Sequence, residues 1–452
     1  MSLINEATDI PTSIRLVRTD EFESWSAERS GTTRQWLARM QFEAKSGQHA
    51  WLQEDQDAPP ELVVGWDGND NLATLGHLPY QLPEGEYALA SPVTDLQVLG
   101  WGLGAYRFSR YKAAKRAPAA LLIPADADRD NLHNTVAAIE LVRDLINIPA
   151  GDLLPSALAD AAAQTADANN AECSITVGDD LLSAGFTTIH TVGRASEDAP
   201  RLVDISWGEP SHPKVTLIGK GVCFDSGGLD LKPAAGMRSM KKDMGGAAHV
   251  LGLGHLIMTA KLPVRLRVLI AAVENAVAGN AYRPGDVIRT YNGLTVEVDN
   301  TDAEGRLVMC DALALAAEEK PDVIFDFSTL TGSARSAVGA EIAAMFCNDD
   351  EIAADIYTMG TCVDDPVWRL PLHQEYAHML DSNVADVVNS AASPYAGAIT
   401  AALFLEKFVA RIPWVHFDIM AYNTRNRPGH PEGGEAMALR ASFEYLKQRY
   451  GG

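Results

Sequence analysis

Cysteine is scarce in this chain. Five occur in 452 residues: Cys173, Cys223, Cys310, Cys347 and Cys362. The number is odd and no pair has CxxC spacing, so neither a disulfide framework nor a structural zinc site is indicated. Buried or partly buried free thiols are expected instead. Long apolar runs are also missing. No stretch reaches the roughly 18 residues of a membrane span, and Met1 to Pro11 is polar, without the apolar core of a signal peptide. The expectation is a cytoplasmic protein with no membrane partner. Basic residues are outnumbered, 37 Lys and Arg against 60 Asp and Glu, for a net charge of −23. That balance disfavours nucleic-acid binding through phosphate neutralisation. There is no HExxH, no GxSxG and no Walker A loop, since Gly219-Lys220-Gly221 lacks the glycine spacing and the Ser or Thr. His249, His255 and His416 have no metal-ligand spacing and read as structural. No internal repeat or low-complexity segment stands out.

What is present is ordinary for a globular protein, with 47% hydrophobic and 21% charged residues. The length exceeds what one core usually serves, so two domains are expected. Before about residue 130, strand-like runs (Leu62 to Trp66, Ala119 to Ile123) mix with a helical stretch from Trp25 to Ala44. A helix from about Leu132 to Asn147 follows, broken by Ile148-Pro149-Ala150-Gly151. The expected division is an N-terminal α/β domain over 1–130, a connecting helix over 131–150 and a C-terminal domain over 151–452. In the last, strands at Leu202 to Trp207, Val215 to Ile218, Val264 to Val273 and Val323 to Phe327 alternate with helices at Ala157 to Asn169, Gly246 to Thr259 and Leu307 to Glu319. That alternation predicts an α/β fold with helices on both faces of a sheet. Charged clusters follow strands, with Lys220 after Val215 to Ile218 and Asp302 after Thr295 to Val298. Open α/β sheets place their ligand sites there.

Two clusters carry chemistry. Asn300-Thr301-Asp302-Ala303-Glu304-Gly305-Arg306-Leu307 packs two carboxylates and a guanidinium ahead of an apolar run. Carboxylates two apart on a loop can point at one centre, beside the positive end of a following helix. Upstream, Gly219-Lys220-Gly221-Val222-Cys223-Phe224-Asp225-Ser226-Gly227-Gly228 is followed by Lys232 and by Lys241-Lys242-Asp243-Met244-Gly245-Gly246. Asp225, Asp243, Asp302 and Glu304 sit in Gly-rich, otherwise apolar surroundings, where burial without cations is prohibitive. Oxygen ligands in this number suit divalent ions, and two ions sharing a carboxylate fit better than one. By itself Lys220 reads as a counter-charge to these carboxylates.

These motifs resemble the signature of the leucine (cytosol) aminopeptidases, the dimetal exopeptidases of peptidase family M17. NTDAEGRL matches without a gap, and the upstream stretch is similar to the family's GKG-x-x-FDSGG…K…K-x-DMGG pattern. Similarity continues through Tyr282 to Asp286, Ser328 to Gly332, Trp368 to Leu372, Gly397 to Ala402 and His416 to Ile419. It covers roughly Ala138 to Ile419 and is weak before that.

The resemblance implies a smaller N-terminal α/β domain and a larger C-terminal catalytic α/β domain with a central mixed sheet covered by helices. It implies a metal-dependent aminopeptidase that hydrolyses the N-terminal residue from short peptides, using a water bridging two metals, Mn²⁺ or Zn²⁺. By the family pattern Asp225 and Glu304 bridge both metals, Asp302 completes one site, and Asp243 and Lys220 complete the other. Lys220 then ligates as a neutral amine, which burial and an adjacent dication both favour. Lys232 supplies a cation for the tetrahedral intermediate. Arg306, whose pKa above 12 bars it from acting as a base, holds a bicarbonate that shuttles the proton. Met240, Thr329, Leu330 and Gly332 line the side-chain pocket. A homohexamer with interior active sites is implied as well.

One departure stands out. After His416-Phe417-Asp418-Ile419 the family has small, Gly-rich residues along one pocket wall. This chain has Met420-Ala421-Tyr422-Asn423, then Arg425, Arg427 and Gly433-Gly434-Glu435. Bulk and charge there leave the preferred N-terminal residue open. Rival readings are a non-catalytic scaffold or binding protein on the same fold, and a dimetal hydrolase of another substrate class. A degenerate scaffold is expected to lose ligands, and all seven positions are intact.

Overall fold

The strand Val323–Ser328 is buried at every position. A strand covered on both faces reads as a continuous apolar run instead of alternating, and Val323-Ile324-Phe325 with Phe327 supplies that run. The computed structural model that shows this describes residues 2–53 and 59–451. Met1, residues 54–58 and Gly452 lie outside the described residues. The chain divides into two units. One is Met1–Glu140 with Arg425–Glu432, the other Leu141–Thr424 with Gly433–Gly452. The division falls inside the helix Arg129–Asn147.

The first unit holds a six-stranded sheet of β1 (Leu3–Ile4), β2 (Thr12–Arg18), β3 (His49–Leu52), β4 (Glu61–Trp66), β5 (Glu86–Leu89) and β6 (Ala120–Leu122). Its order is β1-β6-β5-β2-β4-β3. All neighbours are parallel except the edge pair of β3 and β4. The helix expected from Trp25 to Ala44 is two pieces, Phe22–Ala27 and Gly31–Arg39. Ser30 restarts the second by accepting the Thr33 N–H. Positive φ at Gln41 (52°) and Ala44 (54°) takes the chain out of helix after Arg39.

The second unit is built on eight strands in a mixed sheet. They are β7 (Glu172–Val177), β8 (Arg201–Trp207), β9 (Lys214–Asp225), β10 (Arg265–Asn275), β13 (Val323–Ser328), β14 (Ala343–Cys347), β15 (Val367–Arg369) and β17 (Trp414–Asp418). The order is β15-β14-β17-β13-β9-β10-β8-β7. A small sheet joins β11 (Val287–Arg289), β12 (Thr295–Glu297) and β16 (Val387–Val388) in that order. The helix Glu304–Glu318 is buried over nearly its whole surface, with Leu307, Val308, Met309, Ala312 and Leu313 fully enclosed. A helix apolar all round belongs in a core. Each such aliphatic side chain contributes about 1.5–3 kcal/mol on burial.

Three further details differ from the sequence reading. β9 does not end at Ile218 but continues to Asp225, so Lys220 and Asp225 lie within a strand. The helix expected from Leu307 starts at Glu304, which puts Glu304 and Arg306 in its first turn. Cys362 is exposed, because it ends a helix on the surface, while Cys223, Cys310 and Cys347 are buried and Cys173 is half-buried. No helix among the described residues is long and apolar enough to cross a membrane.

Candidate metal centre

The centre begins where β9 outruns β13. β13 pairs with β9 only as far as Phe327 with Gly219, while β10 stays paired until Asn275 with Asp225. Between the pairs Val222–Val273 and Asp225–Asn275, β9 has one residue more than β10. Side chains alternate along a strand, so this bulge turns Asp225 onto the face that Lys220 already occupies. Asn275 then holds Asp225 by donating from Nδ2 to Oδ1 at 2.8 Å, and the Gly227 N–H donates to the same oxygen at 2.8 Å.

Two further segments close on this pair. Gly227, at φ 89°, passes so near the second cluster that a Cβ there would lie 3.0 Å from Asp302 Oδ1. Asp230 Oδ2 accepts the Thr301 N–H at 2.7 Å, and Thr301 Oγ1 donates to the Gly227 carbonyl at 2.6 Å. Gly305 is required for a related reason. A Cβ on it would meet Lys220 Nζ at 2.7 Å. Asp243 sits on a short turn, Met240–Met244, and Thr329 Oγ1 donates to its Oδ1 at 2.6 Å.

The four carboxylates and two lysines converge. Oxygens of Asp225, Asp302 and Glu304 lie within 4.8 Å of one another. Lys220 Nζ is 2.7 Å from Asp243 Oδ2 and 2.7 Å from Glu304 Oε1, off the hydrogen-bonding directions of both oxygens. Lys232 Nζ is 2.8 Å from Asp225 Oδ2 and also touches Asp302 Oδ1. Lys220, Asp225, Asp243 and Glu304 are each no more than 2% exposed. Burial alone would drive Lys220 toward the neutral amine, but Asp243, Glu304 and Asp225 outweigh it and raise its pKa. Lys232 is raised in the same way, mainly by Asp225. Burial raises Glu304 well above the carboxylate range, with Asp225 adding to it. Asp225 is raised by burial and by Asp243, whereas Lys220 and Lys242 overcome burial to lower Asp243.

This donor set fits divalent ions. Asp243 Oδ2, Asp302 Oδ1 and Glu304 Oε1 each face a lysine ammonium, Lys220 for the first and last and Lys232 for Asp302. Enclosed acceptors of this kind are costly unless cations take them. Four carboxylates balance the charge of two dications.

Arg306 takes a different direction. Its Nη1 donates to the Asn389 carbonyl at 2.6 Å, and no carboxylate among the described residues lies within ion-pair distance. Burial pushes its pKa down to about 10, so the guanidinium remains charged at neutral pH. Asn389 is fully buried and grips the loop before Asp302. Its Oδ1 accepts from the Asp299 N–H at 2.8 Å, and its Nδ2 donates to the Asn300 carbonyl at 2.7 Å. Nothing in the local sequence around Asn389 announces this.

Thr329, Leu330 and Gly332 lie on the loop that leaves β13, and Met240 opens the turn that carries Asp243. Asp418, at the end of β17, anchors that loop. Its Oδ1 accepts the N–H groups of Leu330 (3.0 Å) and Thr331 (3.1 Å), and its Oδ2 accepts from Thr331 Oγ1 (2.6 Å). In the segment expected to wall the pocket, Tyr422 and Asn423 pair with Gly433 and Gly434. Glu435 is neutralised by Arg143 at 3.1 Å, and Arg425 and Arg427 fall in the first unit. His249 accepts the Met437 N–H through Nε2, and His416 pairs with Asp326 at 2.6 Å.

Known proteins match the chain over both units. The cytosol aminopeptidase family catalytic domain matches residues 140–442, and the M17 aminopeptidase N-terminal domain matches residues 11–124. The chain belongs to the cytosol aminopeptidase family. It is thereby a metal-dependent aminopeptidase, a metalloexopeptidase hydrolase. A probable cytosol aminopeptidase of Roseiflexus castenholzii is 38% identical over 385 residues, 81% of this chain and 77% of the relative. The crystal structure of the cytosol aminopeptidase from Coxiella burnetii superposes with a TM-score of 0.95 at 45% identity, covering 99% of both chains. The bottromycin maturation enzyme BotP in complex with Mn gives 0.87 at 33% identity, covering 98% of this chain and 100% of that one. Family membership accounts for the fold read from the sequence, a smaller N-terminal α/β domain and a larger catalytic domain on a mixed sheet.

Proposed function

We propose that this aminopeptidase works through two divalent ions held by Lys220, Asp225, Asp243, Asp302 and Glu304, with Asp225 and Glu304 shared between them. The convergence of three buried carboxylates and the partly exposed Asp302 on two lysines carries the reading. When bound, a metal pair of this kind lowers the pKa of a water molecule and polarises a peptide carbonyl. Lys220 would hold one ion as a neutral amine, its proton leaving to solvent as the dication takes over the charge of the carboxylates. Lys232, within reach of Asp225 and Asp302, holds positive charge where the tetrahedral oxyanion develops. Arg306 stays protonated and would hold a bicarbonate through its planar fork, a group that would supply a base for the proton of the attacking water. Asp418 fixes the Leu330–Thr331 peptide, so that the loop with Thr329 and Gly332 faces the substrate in one position. Met240 supplies an adaptable apolar pocket wall. Met420, bulkier than the family's small residue, narrows it.

Substrates are short peptides with a free N-terminal amine. Mn²⁺ is supported by the BotP complex, and Zn²⁺ suits the same donors. A homohexamer in the cytoplasm completes the proposal.

The test is release of the N-terminal residue from a panel of X-Gly dipeptides. EDTA-stripped protein is compared with protein resupplied with Mn²⁺ or Zn²⁺, alongside N-acetylated controls. Metal-restored cleavage that acetylation abolishes is expected, and the preferred X reports on the Met420 wall. No cleavage of any free-amine peptide with both metals bound would sink the proposal.

A further inference from the structure

Two cations stand beside the loop assigned to the substrate, and the chemistry above uses neither. Lys242 lies two residues after Met240, on the turn that also carries Asp243, and is 1% exposed. Lysine is almost never buried so fully unless its charge is paired. Yet its ammonium has no hydrogen bond and no carboxylate within ion-pair distance among the described residues. Arg335 is the second cation. It lies on the helix Gly332–Val338, three residues after Gly332, so the two share a face. A Cβ on Gly332 would sit 3.7 Å from Arg335 Nη2. Nη1 is enclosed without a hydrogen-bond partner among the described residues, while the residue as a whole is half-buried.

The two charges act on each other. Of the charged groups that influence Lys242, Arg335 is the strongest, ahead of Asp243, Lys220 and Asp418. Repulsion between like charges in a largely dry site persists until an anion is taken up. The two carboxylates of that neighbourhood are committed elsewhere. Asp243 faces Lys220 and accepts from Thr329 Oγ1. Asp418 accepts from the Leu330 and Thr331 N–H groups and from Thr331 Oγ1. Arginine's planar fork matches a carboxylate, and Arg335 is open enough to receive one. Lys242 adds positive charge from the interior.

We propose that this aminopeptidase prefers peptides whose N-terminal residue is acidic, glutamate above all, with the side-chain carboxylate received by Arg335 and favoured by Lys242. The inference rests on the metal centre and pocket proposed above. Met240 covers the methylenes of such a side chain, and glutamate reaches farther than aspartate. The test measures kcat/KM of the full-length, metal-loaded protein for Glu-Gly, Gln-Gly, Leu-Gly and Lys-Gly. Glutamate and glutamine have nearly the same shape, so their ratio isolates the charge. Wild type is expected to favour Glu-Gly over Gln-Gly by about tenfold or more and to cleave Lys-Gly least. Arg335→Gln should cut that ratio about tenfold, and Lys242→Met, which keeps the length, should lower it as well. Arg335→Glu should cleave Lys-Gly faster than wild type does, a gain that misfolding cannot produce. Glu-Gly no better than Gln-Gly in wild type, beside metal-dependent cleavage of Leu-Gly, overturns the proposal and leaves the metal centre standing. So does an unchanged ratio in Arg335→Gln. If none of the four peptides is cleaved with metal bound, the metal-centre reading fails and the preference falls with it.

Discussion

Arg306 hydrogen-bonds the backbone carbonyl of Asn389, 83 positions away, and not the carboxylates two and four residues before it. The Asn389 side chain meanwhile ties down Asp299 and Asn300. One buried residue thus sets both the guanidinium and the loop that presents Asp302. Asn389→Ala removes the side-chain bonds and leaves buried backbone groups unpaired. A loss of about 2–4 kcal/mol in stability is expected, with weaker metal binding. The Arg306 contact survives, since it uses the main chain, so excess metal should restore most of kcat. Denaturant unfolding and a metal titration check this; normal stability with normal metal affinity would remove Asn389 from the account.

Lys232→Met keeps the length of the side chain and deletes its charge. If Lys232 faces the developing oxyanion, kcat falls roughly 10²- to 10³-fold while KM changes little. Steady-state kinetics on one X-Gly dipeptide measures the split. A variant that mainly raises KM would make Lys232 a substrate-binding group.

Metal should stabilise as well as activate, because the carboxylates converge only in the folded state. Mn²⁺ or Zn²⁺ at about a hundred times its Kd is expected to add roughly 2.7 kcal/mol. EDTA should abolish cleavage and lower Tm, and Asp302→Asn should shrink the shift. A Tm indifferent to added metal would count against a metal centre at these residues.

His249 gives stability a dependence on pH. Burial holds its pKa down to about 4, from 6.5, with Nδ1 at the Gly245 carbonyl and Nε2 accepting from Met437. Between those values the unfolded chain carries a proton that the folded chain refuses. Stability therefore falls as pH drops from about 6.5 to 4, by about 3 kcal/mol in all. His416 acts in the opposite sense. Asp326 outweighs burial and raises it, so its contribution is present below pH 6.5 and is lost as pH rises through the folded pKa. In His249→Gln the slope of unfolding free energy against pH over 4–6.5 should be shallower by about one proton. An unchanged slope would mean that His249 is charged in the fold.

Lys220, Asp225, Asp243, Asp302 and Glu304 could be singled out from sequence because they stand in contiguous Gly-rich motifs. The alternation of strands and helices in the second unit was legible because periodicity is local. The sequence alone thus singled out the charged residues that the structure brings together and determined the α/β class that presents them. Tertiary structure decided how they meet. An extra residue in β9, visible only against its partner β10, turns Asp225 toward Lys220. Asn389 and Asp418 reach their loops across more than 80 positions of chain, and the excursion 425–432 belongs to the first unit. Bulges and long-range hydrogen bonds depend on which strand lies alongside and how closely backbones approach, and no spacing along a single chain encodes that.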